Sequence, residues 1–166
     1  MKFNEFYSLT IVHSRDIILV KGVDYMNITK QKSQKTFDKQ AADYDTNIQG
    51  EHARKLYKPI IENLKNKNIH SILDLGCGTG ALLKEIKELN IAEQLFGIDI
   101  SPNMLEIAEN KLGNDATLIL GDSERLPFED SSFDAIVCND SFHHYPQPDI
   151  VEKEVSRCLK QNGVFI

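Results

Sequence analysis

The chain has no tryptophan, only three cysteines, and no apolar run near the roughly 20 residues of a membrane span. Cys77, Cys138 and Cys158 lie far apart, none in a C-x-x-C pair and none near a histidine at metal-ligand spacing. That pattern argues against a disulfide framework and a metal centre, and it leads us to expect reduced thiols in the cytoplasm. The apolar stretch Ile17 to Val20 follows Arg15-Asp16 and has no small-x-small cleavage site after it, so neither a secretory signal nor stable membrane insertion is expected. Basic residues are also scarce: 19 Lys and Arg stand against 25 Asp and Glu, a formal charge of -6. Nucleic-acid binding needs clustered cations to displace counterions, so a polyanionic partner is not expected. Lys30, Lys32 and Lys35 form the one small basic cluster, which reads as a solvated helix face.

What is there suffices for one domain with one core, since 166 residues of ordinary composition can bury a sizeable apolar interior. Residues 1–25 read differently from the rest, an apolar mixture without helical period. Lys21-Gly22 can be encoded by a purine-rich stretch resembling a bacterial ribosome-binding site, so the natural start is expected at Met26. The competing reading is a short strand or arm from Leu9 to Val12 and Ile17 to Val20. Residues 26–68 read as an N-terminal helical lid, with a polar helix from Thr29 to Gln40 and a second from Gly50 to Lys65, bent at Pro59.

Strands and helices then alternate over residues 69–166: Ser71 to Leu75, Gln94 to Ile100, Thr117 to Leu120, Phe133 to Asn139 and Val164 to Ile166 as strands, with helices Ala81 to Leu89, Pro102 to Leu112 and Asp149 to Lys160. This order predicts an α/β fold, a Rossmann-like doubly wound parallel sheet with right-handed crossovers. Ser101 and Pro102 supply a helix start, and Asn162-Gly163 is expected to stop the last helix.

The most informative segment is Asp74-Leu75-Gly76-Cys77-Gly78-Thr79-Gly80, between a strand and a helix. Its glycines let the backbone approach a ligand closely at a helix N-terminus. Gly76, Gly78 and Ala81 fit the G-x-G-x-x-G/A spacing of a dinucleotide loop, and Asp99 ends the next strand where a ribose-binding acid belongs, so a nicotinamide oxidoreductase is one reading. Asp74 stands against it. A carboxylate beside the turn repels a pyrophosphate, and no Lys or Arg in the loop offsets it. S-adenosylmethionine has no phosphate and carries a sulfonium and an ammonium, for which Asp74 is an asset worth about 1.5–3 kcal/mol.

From Phe37 to Ile166 the chain resembles the class I S-adenosylmethionine-dependent methyltransferases, in particular the small-molecule, quinone-biosynthesis-like branch. The resemblance implies that the turn Asp74 to Gly80, with Gly76, Cys77, Gly78 and Gly80, lies against the methionine part of S-adenosyl-L-methionine. It implies that Asp99 binds the ribose hydroxyls with Ile100 beside the adenine, and that Asp122 faces the adenine amino group with Ser123 offering backbone contacts. Asn139 ends the strand that carries the substrate side of the pocket, and Tyr44, in the segment Phe37 to Asp45, belongs to a lid over the cofactor. Taken residue by residue, Asp122 also reads as a turn former, Asp99 as a helix-start acid, Tyr44 as a packing residue and Cys77 as a small filler.

His143 and His144 follow the fourth strand, where a histidine could take a proton from an acceptor; a structural role in the loop is the bland alternative. No metal is expected. The reading is methyl transfer to a small-molecule acceptor, with a non-catalytic cofactor-binding module as a further alternative. A nucleic-acid acceptor is disfavoured because Asn139 is followed by Asp140 and Ser141 rather than by Pro-Pro-Tyr. The resemblance also implies a sheet ordered 3-2-1-4-5-7-6, whereas this sequence stops at Ile166 inside the fifth strand. A truncated sheet is therefore expected, with an exposed edge through which an oligomer could form.

Overall fold

The computed structural model describes residues 25–166, with side chains from Ile28 onward. The expectations for residues 1–24, the arm and the leader, lie outside the described residues. Ten main elements follow in order: α1 (Tyr25–Gln40), α2 (Glu51–Leu64), β1 (Ile69–Leu75), α3 (Ala81–Glu88), β2 (Ala92–Asp99), α4 (Pro102–Leu112), β3 (Thr117–Leu120), β4 (Phe133–Val137), α5 (Pro148–Cys158) and β5 (Leu159–Phe165). Single 3-10 turns occupy Ala41–Asp43, Gly113–Asp115 and Phe142–His144.

The strands form one parallel sheet in the order β3-β2-β1-β4-β5. The direction of winding reverses between β1 and β4, and the loops that leave the two strands there part to open a crevice at their carboxyl ends. Leu73 pairs with Phe96 on one side and Ile136 on the other, so β1 is the central strand. Its side chains alternate. Ile72 joins a core layer with Leu64, Leu82, Leu83 and Ile86, while Leu73 and Leu75 join the opposite layer with Phe133, Val151 and Val155. Each such side chain removed from water contributes about 1.5–3 kcal/mol, which is why Ile72 on one face of β1 and Leu73 and Leu75 on the other are apolar.

Local chemistry sets the helix boundaries. Ser101 Oγ accepts the Met104 amide at 3.1 Å with Pro102 at the first helical position, as the sequence predicts. Helix α2 runs through Pro59.

The end of the chain departs from expectation. Helix α5 stops at Cys158 rather than Lys160, and the strand begins at once, with Leu159 opposite Phe133 and Val164 opposite Ala135 across a register shift. Two amides from the loop before β4 explain this: Ser131 and Ser132 donate to the carbonyls of Arg157 and Cys158 at 2.9 and 2.8 Å, satisfying the helix end from outside. Asn162-Gly163 is therefore not a helix stop but lies within the bulged strand. Asn162 takes φ +64, and a Cβ on Gly163 would lie 2.9 Å from the Lys160 carbonyl. Lys160, freed from the helix, bonds both oxygens of Asp134 at 3.0 Å.

Candidate functional site

The crevice at the carboxyl ends of β1, β2 and β4 is a cleft of about 920 Å³, open mouth included, roofed by α1 and the segment that follows it. Lys30, Ser33 and Phe37 line it from one face of α1, at the spacing of successive helical turns.

The turn after β1 forms its floor. Gly76, Gly78 and Gly80 all have positive φ, at 66, 53 and 72°. The amides of Gly76 and Cys77 both donate to the Ile98 carbonyl, at 2.8 and 3.1 Å, which pins the turn to the end of β2. A Cβ added at Gly78 would meet nothing within 4 Å, so its backbone faces open cleft. Gly80 differs from the sequence-based expectation. It does not line the cleft; a Cβ there would lie 2.8 Å from Leu112 and 3.0 Å from Ala108, so this glycine lets α3 approach α4.

Asp74 lines the same floor and is only 2% exposed, and its Oδ1 has no hydrogen-bond partner among the described residues. Burial, and then the charge of Asp99, push its carboxyl well above the usual carboxylate range. Asn139 Oδ1, also in the lining, is the other buried side-chain oxygen without a partner among the described residues; its Nδ2 donates to the Ala53 carbonyl at 3.3 Å. Buried polar atoms are nearly always paired, so two unpaired oxygens facing one cleft fit a ligand that brings donors or positive charge.

Asp99 ends β2 and accepts the amides of Gly78 and Ser101, each at 2.8 Å. Burial raises its carboxyl and the amides of Ser101 and Gly78 oppose the rise. It is thus also the helix-start acid of the bland reading, holding the glycine turn and the start of α4 together. Ile100 lines the cleft beside it. Asp122 likewise forms its own turn, accepting the Glu124 amide at 2.9 Å, while Ser123 is buried.

Lys30 corrects the sequence expectation of a solvated helix face. Its ammonium pairs with Asp122 at 2.6 Å and with buried Glu124 at 2.5 Å. Burial lowers its affinity for a proton, but the bonds to both carboxylates outweigh this and the net shift is upward. Lys32 and Lys35 are exposed, as expected. Glu124 also accepts the Gln147 amide at 3.0 Å and its side-chain Nε2 at 2.9 Å, joining α1 to the start of α5.

Two more ties hold the roof: Asp38 accepts Ser101 Oγ at 2.6 Å, and Asp45 accepts Thr79 Oγ1 and pairs with Lys111, both at 2.5 Å. None of these ties was visible in the sequence, because their partners lie 23 to 94 positions apart.

Tyr44 lines the cleft with its ring edge toward Phe37 at 6.4 Å, and burial, then the charge of Asp140, raise its phenol. Cys77 also lines it; burial pushes the thiol well up, and its sulfur would be 2.8 Å from a Cβ on Gly97, the behaviour of a packed filler.

The two histidines separate. His144 is half-buried in the lining, 5.1 Å from the Phe37 ring, and burial followed by the charge of His143 lowers its pKa. His143 is exposed and does not line the cleft, because the 3-10 turn points successive side chains to different sides. Asp140, at φ +55, lines the cleft and faces exposed His52 at 3.0 Å.

A family model described as a methyltransferase domain matches residues 73–166. The chain is 35% identical over 141 residues to a demethylmenaquinone methyltransferase of Thermotoga maritima, covering 83% of this chain and 61% of that protein. It is 34% identical to a malonyl-[acyl-carrier protein] O-methyltransferase of Legionella pneumophila, covering 80% and 47%. Among solved structures, the YcgJ protein of Bacillus subtilis superposes with a TM-score of 0.62 at 28% identity, covering 68% of this chain and 49% of that one. The chain thus spans about half to three fifths of the length of these proteins. Of the readings that the glycine spacing leaves open, these matches favour neither the nicotinamide enzyme nor the non-catalytic module. With an acidic glycine turn, an acid ending the second strand and a parallel sheet in the order 3-2-1-4-5, the chain belongs to the class I S-adenosylmethionine-dependent methyltransferase family.

Proposed function

We propose that this chain binds S-adenosylmethionine in the cleft and carries methyl transfer to a small-molecule acceptor. The observation that carries the reading is Asp74: a buried acid with an unpaired oxygen in a turn that has no cation of its own. Such a floor suits a sulfonium and an ammonium and repels a pyrophosphate. Asp74, the turn from Gly76 to Gly78 with Cys77, Asp99, Ile100, Asp122, Ser123, Asn139 and Tyr44 would hold the cofactor. When bound, S-adenosylmethionine supplies a methyl already activated by its sulfonium.

The protein's own part is to position and to exclude water. Phe37 and the ties of Asp38, Asp45 and Lys30 hold α1 and its following segment over the cleft as a lid. His144, kept neutral by burial, is suited to accept a proton from an acceptor hydroxyl, nitrogen or acidic carbon; His143, being exposed, is not assigned that role. The aromatic edges of Phe37, Tyr44 and His144 suit an apolar or planar acceptor rather than a polynucleotide. The relatives named above act, by their names, on demethylmenaquinone and on malonyl-[acyl-carrier protein], which leaves the acceptor class broad. Among the described residues no helix is long and apolar enough to cross a membrane, and a cytoplasmic enzyme is the location we propose.

Calorimetric titration tests the reading. S-adenosylhomocysteine should bind and raise the melting temperature while NAD should do neither; binding of NAD alone would reject it.

A further inference from the structure

We propose that Tyr145 is a positioning residue for this cleft, its phenol joining the turns after β1, β3 and β4 into one directed hydrogen-bond chain. The proposal builds on the cofactor reading above. Ser141 Oγ donates to the Leu75 carbonyl at 2.7 Å, which uses its single proton. At 3.0 Å from Tyr145 Oη, Ser141 must therefore accept, and Tyr145 donates to it. Ser123 Oγ in turn donates to Tyr145 Oη at 3.2 Å. The chain runs Ser123 to Tyr145 to Ser141 to Leu75, from the β3 turn through the β4 loop to the residue before Gly76 in the glycine turn.

The Cys138 thiol flanks it, 3.1 Å from Ser141 Oγ and 3.9 Å from Tyr145 Oη. Burial pushes the Tyr145 phenol well up and also raises the Cys138 thiol, so both keep their protons and the direction of the chain does not reverse near neutral pH. Packing agrees with bonding. A Cβ on Gly76 would lie 2.6 Å from Ser141 Cβ and 3.2 Å from Tyr145 Oη, so the floor of the cleft rests directly on this pair. The Tyr145 ring is held separately, edge to face with Phe142 at 5.9 Å. Tyr145→Phe therefore keeps the ring and removes only the oxygen, leaving Ser123 without its acceptor and Ser141 with the Cys138 thiol alone as donor.

The test uses the whole chain with two measurements, amide hydrogen exchange without ligand and calorimetric affinity for S-adenosylhomocysteine. Tyr145→Phe should speed exchange in residues 76–80 and 122–124 by about tenfold or more and weaken S-adenosylhomocysteine about tenfold, while exchange around Ser71 and Asp134, at the far end of the sheet, stays within about twofold. Ser141→Ala should match or exceed it and Ser123→Ala should do less, because Ser141 holds two links of the chain and Ser123 one. Faster exchange everywhere would reduce Tyr145 to a general stability element and overturn the proposal, as would unchanged affinity for the ligand in Tyr145→Phe. If the unaltered chain fails to bind S-adenosylhomocysteine, the cofactor reading falls, and the exchange pattern alone then decides whether Tyr145 holds the turns.

Discussion

Replacing Asp74 by asparagine should stabilise the protein and damage its site, two effects of opposite sign from one atom. Asp74 is 2% exposed, its Oδ1 has no partner among the described residues, and burial followed by the charge of Asp99 raises its pKa. A carboxyl whose folded pKa lies above its unfolded value of about 3.9 binds more protons folded than unfolded above that pH. Its contribution is neutral below pH ~4 and increasingly unfavourable as pH rises toward the folded pKa, at up to about 1.4 kcal/mol per pH unit. An asparagine side chain has nearly the same shape and no charge. Urea unfolding should therefore give Asp74→Asn a stability gain near zero at pH ~4 that grows as the pH rises toward ~7, by no more than about 1.4 kcal/mol per pH unit. Over the same range the loss of a charge-assisted contact of about 1.5–3 kcal/mol should weaken S-adenosylmethionine roughly ten- to a hundredfold. A variant destabilised at pH 7, or a stability difference that does not change with pH, would refute the assignment of Asp74 as a buried, unpaired acid. Unchanged cofactor affinity would refute its role in binding.

Asp99→Ala should weaken S-adenosylhomocysteine roughly ten- to a hundredfold and also lower the melting temperature, since the amides of Gly78 and Ser101 lose their acceptor; calorimetry and thermal unfolding read the two separately. His144→Ala should reduce methyl transfer to an identified acceptor about a hundredfold, with the acid limb of the kcat/KM profile lying below pH ~6.5 because burial lowers the His144 pKa, whereas His143→Ala stays within about threefold. Lys30→Met should cost about 1–3 kcal/mol, because Glu124 is buried and keeps only Gln147 as partner, and it should speed cofactor release in stopped-flow measurements. Equal release rates would mean that α1 does not act as a lid.

How far the site could be read in advance follows from how local its parts are. The floor was legible: a strand ending in Asp74, a turn with three glycines and a helix after it are set by neighbours in sequence, and all three glycines take the positive φ that this turn requires. Ser101 as a helix cap and Asp99 at the end of β2 were legible for the same reason. The roof was not. Lys30 looked like a surface lysine because its partners, Asp122 and Glu124, lie 92 and 94 residues away. The end of α5 was misplaced because the amides that terminate it come from Ser131 and Ser132, not from the residues that follow. Nor could spacing say which of two adjacent histidines turns inward, since a short 3-10 turn decides that by a rotation of one residue.

By itself, then, the sequence determined the fold class, the order of the elements and the sign of the cleft floor, because apolar period, glycine placement and a single acid act over a few residues. Only the tertiary structure decided that Gly80 packs α3 against α4 outside the cleft lining, that His144 and not His143 lines the cleft, and that Tyr145 ties the glycine turn to its neighbours. Those outcomes depend on which chain ends the parallel sheet brings side by side: the pairing of β1 with β2 sets the first, and the pairing of β1 with β4 across some 60 residues sets the others. The turn that opens with Asp74 is written locally, but what surrounds it is assembled from the whole chain.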